Sequence, residues 1–489
     1  MSQSRRLSRR RVMEGAGIVA AGTALAACGA TPTPVVIEKT VEVEKVVTQV
    51  VQQEVTKIVE GTPQVVKETV VVQVTAAGPT PIPVGSASGE FTFWYPNQQY
   101  GEWLRDEFNK LGTSVTAKWE LGEYDSNTKT MAALAAGNPP PVSYLGRWQT
   151  CDLAVRNAII ALDDYIATAQ HFKWDNIWTR LQKDSVSWGK KWIIPYTTDT
   201  RALIYNKDIM SDAGLDPEAP PKTFDELHDM AVKITKLDSA GRIDRIGFTP
   251  TFGNPPGYLI FLSLLWCMNS DMVNESMTKV TITDKGVEAM QYLKNLMHDQ
   301  GGYDNAVAFT KSLSLAEGLD AFSAGKVGLA MNGQWVLKNY DKYAPNLNYG
   351  MIPGPVFPEF NIHCNYDGGG GWFFFKKGGH FPEAWTFVDA IMDKDFQTRF
   401  ADLVATLPSR SDAGEAWAKL DKRRPVFAET ANTVKWIPIF AGIIESLSSL
   451  ATMYDNILIG GADMKSEIEA AQTKIQALLD KHNSFPVPS

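Results

Sequence analysis

The chain has 489 residues, 44% of them hydrophobic and 21% charged, enough for a large core shared among two to four domains. Its 47 basic and 55 acidic residues leave a net charge of −8, which argues against a nucleic-acid partner. Its six histidines keep no metal-ligand spacing, its four cysteines form no C-x-x-C pair and no Gly-x-Ser-x-Gly elbow occurs, so no metal or other cofactor and no serine-hydrolase chemistry is expected.

The N-terminus reads as a targeting segment. Arg9-Arg10-Arg11 precede an uncharged Ala/Gly-rich run, Gly15 to Ala27, too short to span a bilayer as a helix. Ser8-Arg9-Arg10-Arg11-Val12 resembles a twin-arginine export signal, with an ordinary Sec signal as the alternative. Leu25-Ala26-Ala27-Cys28 resembles a bacterial lipobox. Residues 1–27 are therefore expected to be removed, and Cys28 to carry the lipid that holds the chain to the outer face of the cytoplasmic membrane. Cleavage there leaves 42 basic against 54 acidic side chains, a mature net charge of about −12.

Residues 28–89 differ in kind. Paired valines recur (Val35-Val36, Val46-Val47, Val50-Val51, Val65-Val66), and no aromatic appears until Phe91. So many β-branched residues with so little to build a core indicate an extended tether. A coiled coil is the rival, but the valines keep no heptad register. Fully extended at ~3.3 Å per residue, the segment reaches almost ~200 Å.

From Glu90 the pattern becomes globular. Glu90–Tyr95 alternates as a strand, Trp103–Leu111 follows as a helix, and Val115–Leu121 reads as a second strand. Lys129–Ala136 is a helix and Val142–Leu145 a third strand, so the βαβα order predicts an α/β fold with a parallel sheet. Ligands of such sheets bind at the strands' C-terminal ends, which here carry Trp94, Tyr95, Arg147 and Trp148. Leu153–Ala161 reads as a helix, followed by the turn Leu162-Asp163-Asp164-Tyr165. Two adjacent carboxylates in a turn do not face each other across a cleft as glycoside hydrolysis requires.

Trp192-Ile193-Ile194 and Ala202–Tyr205 read as short strands around Pro195 and the polar run Tyr196–Arg201, as where a chain leaves one layer for another. Thr223 with Glu226 forms a capping box for the helix Phe224–Leu237. Asp238–Asp244 lacks the closing Glu of a calcium loop and reads as a turn. Farther on come Gly325-Lys326, an apolar strand and Asn332-Gly333-Gln334-Trp335; four glycines, Gly368 to Gly371, before Trp372; and Leu407-Pro408-Ser409-Arg410. The glycines free the backbone and leave amides open to a ligand; no Gly-Lys-Ser/Thr helix start follows, against a phosphate loop. Val434–Ile459 and Asp463–His482 close the chain as helical segments. Cys151, Cys267 and Cys364 allow one disulfide and a free thiol, with the pair left open.

Pro195, Asp199, Tyr205-Asn206-Lys207-Asp208 and Pro220-Pro221-Lys222-Thr223, in that order with the motifs above, resemble the extracellular solute-binding proteins of ABC importers, in the sugar-binding group typified by maltose-binding protein. The resemblance runs from Glu90 to about Lys481. It implies a two-lobed periplasmic-binding-protein-like fold of class II, with lobe 1 in residues 90–198 and 372–430, lobe 2 in residues 199–371 and 431–489, and crossing hinge segments between them. It implies no catalysis, a small-molecule ligand that is a mono- or oligosaccharide, with a glycerophosphodiester, polyamine or peptide, or a ligand-sensing role, as the alternative, ABC permease subunits as partners, and a monomer. Asp199 is expected at the cleft, where Arg201 is its natural ion-pair partner. Tyr258, with Trp266 behind it, matches the position of a stacking aromatic; Trp335 and Trp372 match tryptophans beside the ligand, with Gly371 at the second hinge. Aromatic platforms suit the C–H faces of a sugar, and Asp or Arg suit its hydroxyls. Trp188, Trp192, Trp385 and Trp417 are assigned to the core.

Overall fold

The computed structural model describes residues 87–488 apart from 125–127, 249–256, 364–365, 432 and 436, and before them the strand backbones 39–41, 49–59 and 62–72. The signal segment, Cys28, most of the loop preceding Tyr258 and Cys364 fall outside the described residues.

The chain divides into two units, Met1–Ala76 and Ala77–Ser489. In the first, β1 (Lys39–Val41), β2 (Gln49–Val59) and β3 (Thr62–Val72) form a sheet in the order β1-β3-β2. β2 and β3 run antiparallel, Val50 opposite Val71 and Val55 opposite Val66. The β-branched residues are extended, as expected, but the chain folds back and pairs with itself, which shortens its reach.

The second unit holds two five-stranded sheets. β4 (Gly89–Tyr95), β5 (Val115–Leu121) and β6 (Val142–Gly146) lie parallel with β4 in the middle, joined through helices Gln98–Asn109 and Thr128–Ala136. Asn97 starts the first helix by accepting the Tyr100 N–H. The helix expected over Leu153–Ala161 is shorter, Thr150–Val155, because Asn157 turns left-handed at φ 54° and Ile159 bridges to Phe375.

A hairpin of β7 (Val186–Ser187) and β8 (Lys190–Lys191) leads to the first crossing. There β9 (Ile194–Pro195), β10 (Thr197–Thr198) and β11 (Arg201–Asn206) follow in quick succession, β9 in the first sheet and β11 in the second. The second sheet runs β12 (Lys236–Leu237), β13 (Ile243–Phe248), β14 (Val327–Gly333), β11, β15 (Tyr349–Ile352). The capped helix before it is Phe224–Ile234, with both halves of the Thr223/Glu226 capping box formed. It ends three residues early because Lys236 and Leu237 pair with β13.

The chain returns through Tyr366–Gly369 into β16 (Gly370–Phe374), antiparallel to both β6 and β9. The first sheet is therefore mixed: strands delivered from the other lobe carry no crossover helix and can enter in the opposite sense. β17 (Leu407–Pro408) pairs with β10, and a third crossing lies beside the second, with Tyr366 bridged to Lys435 and Asp367 N–H donating to Lys435 O at 3.1 Å. Away from these segments, Arg423 ties the lobes by pairing with Asp341 at 2.6 Å and donating to Tyr349 Oη at 3.0 Å.

Each sheet has its own core. In the first lobe Phe93, Tyr144, Tyr196 and Phe387 surround Trp372 with ring centroids 5.5–5.9 Å away. In the second, the mainly apolar helix Gly257–Cys267 packs among Met290, Leu450 and Ile468. Trp192, Trp385 and Trp417 are buried as expected, and Trp188 packs partly buried against the core. Cys151 and Cys267 are buried and form no disulfide with each other; burial pushes the Cys151 thiol up to about 12.

Candidate functional site

Between the lobes lies a cavity of about 560 Å³, within the range of small-molecule sites. The first lobe contributes Tyr124, just past the end of β5, and Trp148, just past the end of β6. The crossings contribute Asp199, Arg201, Tyr366, Gly368 and Gly369, and the second lobe Tyr258, Leu259, Ile437 and one face of the helix Ile443–Leu458.

Trp148 rests on Gly146, where any Cβ would collide with the indole, and its ring lies 5.3 Å edge-on from Tyr124. Tyr124 in turn stacks on Tyr144 at 5.8 Å, and Tyr144 Oη shares a 2.5 Å hydrogen bond with Thr197 Oγ1. The aromatic wall is thus tied to the first crossing. Burial pushes the Tyr144 phenol up to about 12, so it stays neutral as a donor.

Asp199 and Arg201 form an ion pair. The Arg201 guanidinium lies between the rings of Tyr366, 4.1 Å away, and Trp335, 4.7 Å away. Two aromatic faces and a carboxylate offset the cost of burying this cation. Asp199 Oδ1 also accepts the Gly368 N–H at 2.7 Å, while a Cβ at Gly368 would sit 2.8 Å from Oδ2. The glycine allows the carboxylate's close approach. Gly369 has φ +98° and packs against the Thr197 carbonyl, a position closed to other residues.

Beneath the glycines is a buried charge network. Arg147 donates to Gly368 O at 2.6 Å and Asp367 Oδ2 at 2.8 Å, and Arg180 pairs with Asp184 at 2.9 Å. Burial pushes the Asp184 carboxyl up to about 6. Arg147 holds the second crossing in place and does not line the cavity.

Of the ten residues expected at the ligand, the structure brings Trp148, Asp199, Arg201 and Tyr258 to the cavity wall. Trp335 stands behind Arg201. The others lie elsewhere. Trp372 is 0% exposed in the first core, because strand alternation turns its side chain into the lobe. Tyr95 packs on Tyr144 and Phe400. Trp94 is held by Glu120 and Lys129 on the first sheet, away from the cavity lining. Gly371 lies within β16, where a Cβ would press on Ile194 O at 2.7 Å, so its role is packing. Trp266 is core.

Tyr124, Tyr366 and the helix face were not anticipated. Tyr124 follows a strand end, the place ligands favour. On the helix, Ile444, Leu447, Ser448 and Ala451 follow i, i+3, i+4, i+7 spacing beside a second, buried face of Ile443, Leu450 and Met453. Two apolar faces on one helix is the signal that was legible there.

Residues 103–426 match the family model described as bacterial extracellular solute-binding protein. A protein of Brucella abortus named only as a binding protein is 23% identical over 78% of this chain and 90% of its own length. Among solved structures, CpMnBP1 with mannobiose bound has a TM-score of 0.68 at 24% identity, covering 79% of this chain and 99% of that one. UgpB from Mycobacterium tuberculosis, in complex with glycerophosphocholine, has a TM-score of 0.65 at 19% identity, covering 81% and 99%. The two-lobed architecture is common to them, and by its match over residues 103–426 the chain belongs to the bacterial extracellular solute-binding proteins.

Proposed function

We propose that the protein captures a neutral carbohydrate, a mono- or oligosaccharide, outside the cytoplasmic membrane and delivers it to the transmembrane subunits of an ABC importer. The observation that carries this reading is the self-paired Asp199–Arg201 set among Tyr124, Trp148, Tyr258 and Tyr366 in one cavity between lobes. Rings suit a sugar's C–H faces, and a paired carboxylate and guanidinium suit hydroxyls. Ligand contacts from both lobes favour the closed form, which docks on the permease. The chain binds its ligand without catalysing a reaction, and ATP is used by a separate subunit. It acts as a monomer held by lipid on Cys28, with residues 28–89 as its tether.

A glycerophosphodiester is the second reading, favoured by the aromatic cluster and carboxylate, which also suit a quaternary ammonium. Its phosphate, however, would have to compete with Asp199 for Arg201, the one cationic side chain among the described residues lining the cavity.

A thermal-shift screen of the full chain against neutral saccharides, sugar phosphates, glycerophosphocholine, polyamines and short peptides tests this. At ~100-fold the Kd, a true ligand adds about 2.7 kcal/mol of stability. A shift with one saccharide series supports the proposal; a shift only with charged solutes overturns the sugar assignment.

A further inference from the structure

The helix Ile443–Leu458 is apolar on two sides. One side, with Ile443, Leu450, Met453 and Ile457, is buried in the second core. The other presents Ile444, Leu447 and Ala451 to the cavity, with Ile437 at its foot. Ile444 is 38% exposed, among the more open large aliphatic side chains of the described residues. Aliphatic carbon facing water is unfavourable in proportion to its area, and a surface helix ordinarily carries one apolar stripe. Among the described residues, Ile444 on this second stripe is exposed, while Leu447 and Ala451 are half-buried.

A plain oligosaccharide makes poor use of such a wall. Its hydroxyl rim needs donors and acceptors, and a hydroxyl pressed on aliphatic carbon loses its water without replacement. The stripe offers one hydroxyl, Ser448, among its four cavity residues. The polar groups come instead from the crossings, as Asp199, Arg201 and the Gly368–Gly369 backbone. The lining thus combines a polar, aromatic set that fits a sugar ring with an aliphatic set on the helix that does not.

Resting on the carbohydrate reading above, we infer that the ligand is an amphiphilic glycoside: a sugar held at the Asp199–Arg201 pair and an apolar aglycone lying on Ile444, Leu447 and Ala451. Both sets line one cavity, so a single small molecule can meet both. The alternative is that the stripe receives the first lobe's own aromatic wall on closure.

Isothermal titration of the full chain with paired methyl and 4-nitrophenyl β-glycosides of mannobiose, cellobiose and maltose separates these. The 4-nitrophenyl member of at least one pair is expected to bind at least ~10-fold more tightly, about 1.4 kcal/mol. Leu447→Asn is expected to cost the 4-nitrophenyl glycoside ~10-fold more than its methyl partner, and Leu447→Met to restore most of the difference. Circular dichroism of both variants checks that the helix persists. Equal affinities within every pair, or an equal loss on both members in Leu447→Asn, overturn the aglycone assignment while leaving the carbohydrate reading intact. Binding of no glycoside, with glycerophosphocholine bound instead, overturns both.

Discussion

Trp148, just past the end of β6, and Trp372, within β16, each stand beside a glycine, and their surroundings set them opposite tasks. Trp148 lines the cavity over Gly146, with the Tyr124 ring 5.3 Å away. Trp372 is enclosed by Phe93, Tyr144, Tyr196 and Phe387. Trp148→Ala is expected to weaken ligand binding by about tenfold or more, roughly 1.4 kcal/mol, with little change in urea midpoint. Trp372→Ala leaves a large cavity in the core and is expected to cost about 3–5 kcal/mol of stability. Titration calorimetry and urea melts on both variants check the pair; a Trp372→Ala protein of normal stability and lost affinity would contradict its placement.

At the scale of the element, the cavity helix depends on what holds its N-terminus. Ala441 N–H donates to His482 Nδ1 at 3.1 Å, and Gly442 N–H to Asp152 at 3.1 Å. His482 lies between the rings of Trp188 and Phe440, and burial lowers its pKa from the ordinary 6.5. A neutral imidazole accepts at Nδ1; a protonated one cannot. The stability this contact contributes is therefore complete above pH 6.5 and lost as the pH falls through the lowered folded value. Between about pH 7.5 and about pH 5, His482→Gln is expected to lose less melting temperature than the parent chain, an order-of-unity histidine effect read by thermal melts. Much of this level was legible beforehand: the strands Val115–Leu121 and Val142–Gly146, the Thr223 capping box and the switch of layers after Pro195 follow from local pattern and turn chemistry. The cavity was less so. Asp199, Arg201 and Trp148 could be placed from strand ends and motif order, but Tyr366 and the Ile444–Ala451 face acquire their meaning only when three crossings and a C-terminal helix meet. Sequence spacing tells which face is apolar, not which neighbour is missing.

For the whole molecule, the three crossings lie side by side, and the Arg423 pair with Asp341 joins the lobes elsewhere. Lobe motion is thus confined to a narrow band of backbone, with Gly369 held at φ +98° inside it. The cavity placed over that band contains one cation and one anion among its described side chains, and each already answers the other. A neutral solute entering it changes no charge and has no long-range field to follow, although the chain carries a net charge of −8. Between about 20 mM and about 500 mM salt, where the screening length falls from roughly 20 Å to roughly 4 Å, its Kd is expected to change less than ~2-fold. An anionic ligand reading Arg201 would weaken steadily over the same titration. Outside the membrane a bacterium does not choose the brine around it. A capture site whose charges are settled internally keeps the same threshold for uptake in rain as in evaporating soil.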